Sequence, residues 1–81
     1  MGTVTINWTD TNELEVKYRV YRGDAYFDTA SLPAFIAELT ENTVTYTDTA
    51  VTTGQQYWYR VSAVFPNSVE VFSDAALFTA A

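Results

Sequence analysis

The run Gln55-Gln56-Tyr57-Trp58-Tyr59-Arg60-Val61-Ser62-Ala63-Val64-Phe65 constrains this chain more than any other feature. Read with a period of two, it places Tyr57, Tyr59, Val61 and Ala63 on one face and Trp58, Arg60, Ser62 and Val64 on the other. That is the repeat of an extended strand and not of a helix. A strand this long needs paired neighbours and an apolar layer beneath one face, so it commits the chain to a sheet.

Further segments follow the same rule. Residues 3–9 place Val4, Ile6 and Trp8 on one face. Asp10-Thr11-Asn12 supplies turn chemistry. Val16 to Arg22 then sets Val16, Tyr18 and Val20 against Lys17, Arg19 and Tyr21. Val44 to Thr49 pairs Val44 and Tyr46 with a threonine face, which suits a pleated surface. Thr52-Thr53-Gly54 turns the chain into the long strand, and Pro66-Asn67-Ser68 turns it out again into a last strand from about Val69 to Thr79. The stretch around Ser31-Leu32-Pro33 carries helix-start signals. A lone helix of that length is marginal in water, and an extended strand from about Phe35 to Leu39 is expected instead. Short strands at this spacing predict a sandwich.

At 81 residues the chain has room for one core and none for a deep catalytic cleft beside it. Hydrophobic residues make up 48%, too many for a disordered chain. With no cysteine, stability must come from packing and sheet hydrogen bonds. With no histidine either, the usual metal ligands, the common proton shuttle and the base of most nucleophilic triads are missing. Serines 31, 62, 68 and 73 have no imidazole to activate them, so no enzyme activity, cofactor or metal is expected. Neither Glu13 with Glu15 nor Asp24 with Asp28 has the spacing of a calcium loop. The net charge of −6, with Lys17, Arg19, Arg22 and Arg60 the only cations, disfavours nucleic acid and anionic lipid as partners. No apolar run is long enough to span a membrane, and the first residues lack the layout of a secretory signal.

Val4-x-Ile6-x-Trp8, Tyr18-Arg19-Val20-Tyr21-Arg22, Tyr46-Thr47-Asp48-Thr49 and the run from Val51 to Val64 are four stretches that resemble the fibronectin type III family. Val4-x-Ile6-x-Trp8 resembles its strand B, Tyr18-Arg19-Val20-Tyr21-Arg22 its strand C and Tyr46-Thr47-Asp48-Thr49 its strand E. Val51-x-x-Gly54-x-x-Tyr57-x-Tyr59-Arg60-Val61-x-Ala63-Val64 resembles the turn and strand F. The resemblance implies an all-β, immunoglobulin-like two-sheet sandwich of about six to seven strands, forming a single domain over residues 1–81. It also implies that Tyr57 is a tyrosine corner whose hydroxyl ties back to the preceding turn. The family's first strand has no counterpart here. The edge at residues 3–9 is therefore expected to expose backbone groups, either for a partner strand or as a tolerated edge.

Parity gathers Lys17, Arg19, Tyr21, Trp58 and Arg60 on the outer face of neighbouring strands. Such residues dominate binding hot spots, and a positive island on an acidic chain could steer an acidic protein partner. The ordinary alternative is a solvated face on which cationic stems shield aromatics. Arg22-Gly23-Asp24 spells an integrin-binding tripeptide, although it follows strand C and suits a plain turn. Asn7-Trp8-Thr9 fits a glycosylation sequon but lies within a strand, and no modification is expected.

The expected role is that of a structural or interaction module, complete in itself and with self-association left open, on an extracellular or virion surface such as a phage decoration or tail protein. The alternative is a spacer or carbohydrate-contacting accessory domain of a secreted bacterial enzyme, with Tyr21 and Trp58 stacking on sugar rings. Integrin-type adhesion through Arg22, Gly23 and Asp24 is a third.

Overall fold

The computed structural model describes residues 2–8, 17–41, 43–67 and 69–81. The turn at Asp10-Thr11-Asn12, the carboxylates Glu13 and Glu15, and Thr9, Val16 and Ser68 lie outside the described residues. The strands are β1 (Gly2–Asn7), β2 (Lys17–Gly23), β3 (Phe35–Thr40), β4 (Thr45–Val51), β5 (Gln56–Val64), β6 (Glu70–Phe72) and β7 (Ala76–Thr79). They form an all-β sandwich of two antiparallel sheets. One is β1-β4, and the other has the order β3-β2-β5-β6 with β7 also paired to β5.

Residues 35–40 are a strand, as expected over the competing helix signals. The ladder from Lys17↔Thr40 to Tyr21↔Phe35 gives this segment backbone partners that an isolated helical turn would leave to water. The core between the sheets is Val4 and Ile6 from β1, Val20 from β2, Val51 from β4, Tyr57 and Tyr59 from β5, and Ala80. Val4, Ile6, Val20, Tyr57 and Tyr59 come from the inward parity of their strands, whereas Val51 turns inward out of step with Asp48, where the β1–β4 register shifts between Gly2↔Val51 and Val4↔Asp48. Burying such side chains at about 25 cal/mol per Å² of apolar area supplies most of the driving force for folding.

Tyr57 forms the expected corner, its hydroxyl accepting a hydrogen bond from the Thr52 amide at 2.9 Å. The turn it anchors closes with Gln55 N–H donating to Thr52 C=O at 3.0 Å. Gly54 occupies this turn at φ 86°, which fits the third position of a type II turn, where only glycine is unstrained.

The last strand is broken in two. Ser62 faces Phe72 and Tyr59 faces Ala76, so residues 73–75 stand opposite only Arg60 and Val61. This is a β-bulge, and Ser73 sustains it. Its amide donates to Val61 C=O at 2.8 Å and its Oγ accepts from Val61 N–H at 2.9 Å. The extra residue reverses parity. Phe72 therefore lies on the outer face beside Tyr21, while Phe78, six positions on, turns inward against Tyr59 at 5.5 Å between ring centres.

Beyond β7 the chain joins the two sheets at one end. Ala80 N–H donates to Gln55 C=O, and Ala81 and Thr3 exchange backbone hydrogen bonds of 2.9 and 3.1 Å.

Candidate functional site

The β2–β5 register sets Lys17 opposite Val64, Arg19 opposite Ser62, Tyr21 opposite Arg60 and Gly23 opposite Trp58. Directly opposed residues share a face, so the sheet does bring Lys17, Arg19, Tyr21, Trp58 and Arg60 together. It does not leave them free. Tyr21 is 4% exposed and Arg60 8%.

Flanking strands supply the cover. Glu38 of β3 meets Arg19 Nε at 3.0 Å and Lys17 Nζ at 3.1 Å, while Glu70 of β6 accepts from Arg19 Nη1 at 3.2 Å. The same Glu70 accepts from the Tyr21 hydroxyl at 2.5 Å and from Ser62 Oγ. Phe35 and Phe72 enclose the Tyr21 ring, and the Arg19 guanidinium lies 4.7 Å from the Phe35 ring centre. Burial, with Glu70 against the hydroxyl, pushes the Tyr21 phenol up. Arg19 and then Lys17 hold the Glu38 carboxyl below its usual range. The charges of Lys17 and Arg19 in the expected positive island are thus offset by carboxylates that converge from both neighbouring strands.

Arg60 is enclosed at the other end of this face. It donates to Phe27 C=O at 3.0 Å, Ser73 C=O at 2.9 Å and the Tyr26 hydroxyl at 3.1 Å. Its guanidinium fork pins the segment after Gly23 across the sheet, with Phe27 buried and Tyr26 set edge-on to Trp58 at 88° and 5.4 Å. Arg60 and Tyr21 are therefore buried and bonded within the fold on this face. Lys17, Arg19 and Trp58 keep partial exposure.

The tripeptide Arg22-Gly23-Asp24 is not presented as a unit. Arg22 has the inward parity and donates to Asp48 Oδ2 at 2.8 Å, and the Phe27 ring approaches Gly23 so closely that a Cβ there would meet it at 2.7 Å. Asp48, 2% exposed, also accepts from the Tyr59 hydroxyl at 2.8 Å and the Ala50 amide at 3.0 Å. Burial opposes the Asp48 charge, but the bonds from Arg22, Ala50 and Tyr59 outweigh it and hold the carboxyl below its usual range. Burial, with that carboxylate alongside, pushes the Tyr59 phenol up. Nothing in the alternation singled out this network, yet a signal was there. Arg22 and Asp48 each stand as a lone charge in an apolar row.

Of the remaining candidates, Asp28 caps its own turn by accepting from the Ala30 amide at 3.1 Å, and Asp24 is exposed. Among the described residues, no group of three or more carboxylates comes together to hold a metal ion.

A cleft of about 200 Å³ opens between the sheets on the side of β1 away from β4. Ile6, Asn7 and Trp8 form one wall, Tyr59 and Val61 the floor, and Ser73, Asp74, Ala76 and Phe78 the other wall. Trp8, expected in the core, is half-buried here against Tyr18, and its indole N–H is buried with no acceptor among the described residues.

No family model and no curated protein matches the chain. Solved structures do. Pectate lyase Pel3 from Pectobacterium carotovorum superposes with a TM-score of 0.82 at 29% identity over 99% of this chain and 24% of that one. Pectate lyase PelI from Erwinia chrysanthemi, in complex with tetragalacturonic acid, gives 0.81 at 27% identity over 95% of this chain and 25% of its own. The chain thus spans about a quarter of the length of the enzymes it resembles.

Proposed function

We propose that this chain is a non-catalytic accessory module of the fibronectin type III kind, which serves as a spacer within a secreted bacterial enzyme that degrades polysaccharide. The observation that carries this reading is the likeness to pectate lyases in which nearly all of this chain corresponds to only a quarter of the enzyme. That relation favours the accessory role over a virion component. The tyrosine corner at Tyr57 and the arrangement of two strands against five support the family assignment.

Within the accessory role, spacing fits better than sugar contact. Tyr21 is buried, and the Tyr26 and Trp58 rings stand perpendicular, so the outer face offers no flat platform on which a sugar ring could stack. A net charge of −6 also repels a polyanion such as the galacturonate chain that PelI holds. The test is migration of the purified chain through a native gel cast with polygalacturonate, together with an assay for unsaturated uronide release. Unretarded migration and no release are expected. Retardation that Trp58→Ala removes would replace the spacer with a sugar-binding module, and release of product would overturn the non-catalytic reading.

A further inference from the structure

The cleft beside β1 is built for an extended polypeptide. In β1 the even-numbered backbone groups face β4, as shown by Trp8 N–H donating to Val44 C=O, and the odd-numbered groups face the other edge, where Thr3 already pairs with Ala81. Thr5 and Asn7 point their N–H and C=O groups the same way. Among the described residues, β4 is the only strand that pairs with β1. Immediately inward of that edge lies the 200 Å³ cleft, whose floor and far wall are mostly apolar. An apolar cavity of about 150 Å³ accepts a benzene molecule, so this one has room for an aliphatic side chain.

One further feature describes the occupant. Asp74 is the one charged residue among the cleft's described lining, on a chain of net charge −6. A cationic segment is therefore favoured, whereas a second copy would bring its own −6.

We propose that β1 and this cleft capture an extended, lysine- or arginine-bearing strand of a partner protein. Its backbone pairs with Thr5 and Asn7, one aliphatic side chain fills the cleft, and a cationic neighbour faces Asp74. The proposal stands apart from the accessory-module reading and would survive its failure.

The probe is a blocked heptapeptide alternating valine and lysine with threonine at each end, titrated into isotope-labelled chain and followed by NMR. Shifts are expected at the Thr5 and Asn7 amides and the Trp8 indole, with slowed hydrogen exchange at the two amides. Methylating the peptide nitrogens that face β1 leaves the protein untouched and should weaken binding about tenfold or more. Asp74→Lys should weaken it several-fold, and Tyr26→Ser should change nothing. Shifts confined to other surfaces, equal binding by the methylated peptide, or no shift at millimolar peptide would each overturn the proposal. So would a dimer by light scattering that Thr5→Pro dissolves, because the occupant would then be a second copy.

Discussion

Replacing Asp48 by alanine removes the acceptor of three hydrogen bonds at once and leaves the Arg22 guanidinium facing the core without its counter-charge. Breaking a buried pair from one side costs about 3–5 kcal/mol. The Arg22 side chain keeps 25% exposure and can recover some water, so the lower end, about 3 kcal/mol, applies here. A domain of this size has only about 4–12 kcal/mol in total. At about 4–8 °C per kcal/mol, the midpoint of thermal unfolding should fall by about 12–24 °C in a calorimeter or by circular dichroism. Asp48→Asn adds a pH arm. A carboxyl depressed in the folded state stabilises above its unfolded value near ~3.9, and that contribution drains away as pH falls through the native value. The wild type should therefore lose stability between those two values, and Asp48→Asn should lack that part of the acid limb. A loss under about 1 kcal/mol in Asp48→Ala, with an unchanged acid limb in Asp48→Asn, would refute the network as a stabilising element.

Other changes test other parts of the fold. Tyr57→Phe leaves the Thr52 amide without its acceptor and should cost about 1 kcal/mol in urea unfolding, with no change of slope. Arg60→Met keeps the apolar stem but strips the donors from Phe27 C=O and Ser73 C=O. It should cost about 2 kcal/mol, where an exposed partner-facing arginine would stay within about 0.5. Tyr59 and Tyr21 hold raised phenol pKa values, so their contribution is complete below the unfolded value near ~10 and is lost as pH rises beyond it. Tyr59→Phe should flatten that alkaline limb, measured by unfolding midpoints against pH.

Alternation alone located β1, β2, β4 and β5 and assigned the inward row of β5, because a period of two is a local property that needs no knowledge of partners. The burial of the outer face was not local. Whether Arg19 and Tyr21 meet water depends on Glu38 and Glu70, which lie nineteen and fifty-one residues from Arg19 and arrive through register. A reading that paired only β2 with β5 saw cations and aromatics and missed the carboxylates that flank them. The bulge at Ser73 was hidden for a related reason. Phe72 and Phe78 share parity in the sequence, and only the opposite strand shows that they face different layers.

These features bear on where function can reside. A sheet four strands wide, its last strand split into β6 and β7, cannot have its whole inner surface covered by a sheet of two, and among the described residues no third layer of secondary structure lies above its outer surface. The chain closes the outer surface with its own side chains. Glu38 and Glu70 neutralise Lys17 and Arg19, and Arg60 binds the segment carrying Tyr26 and Phe27 across the strands. Groups satisfied in this way gain little from a partner, since binding would have to replace bonds already made. The inner surface is different. At the end where Ala81 meets Thr3 the two sheets are joined, and farther along β1 the cleft retains apolar surface and, at Thr5 and Asn7, an edge of backbone groups with no strand partner among the described residues. Association is favourable where desolvation has been left incomplete, and these two features coincide there. On the proposal made above, the sandwich directs recognition away from the aromatic, cationic face that the sequence makes conspicuous and toward an uncharged strand edge.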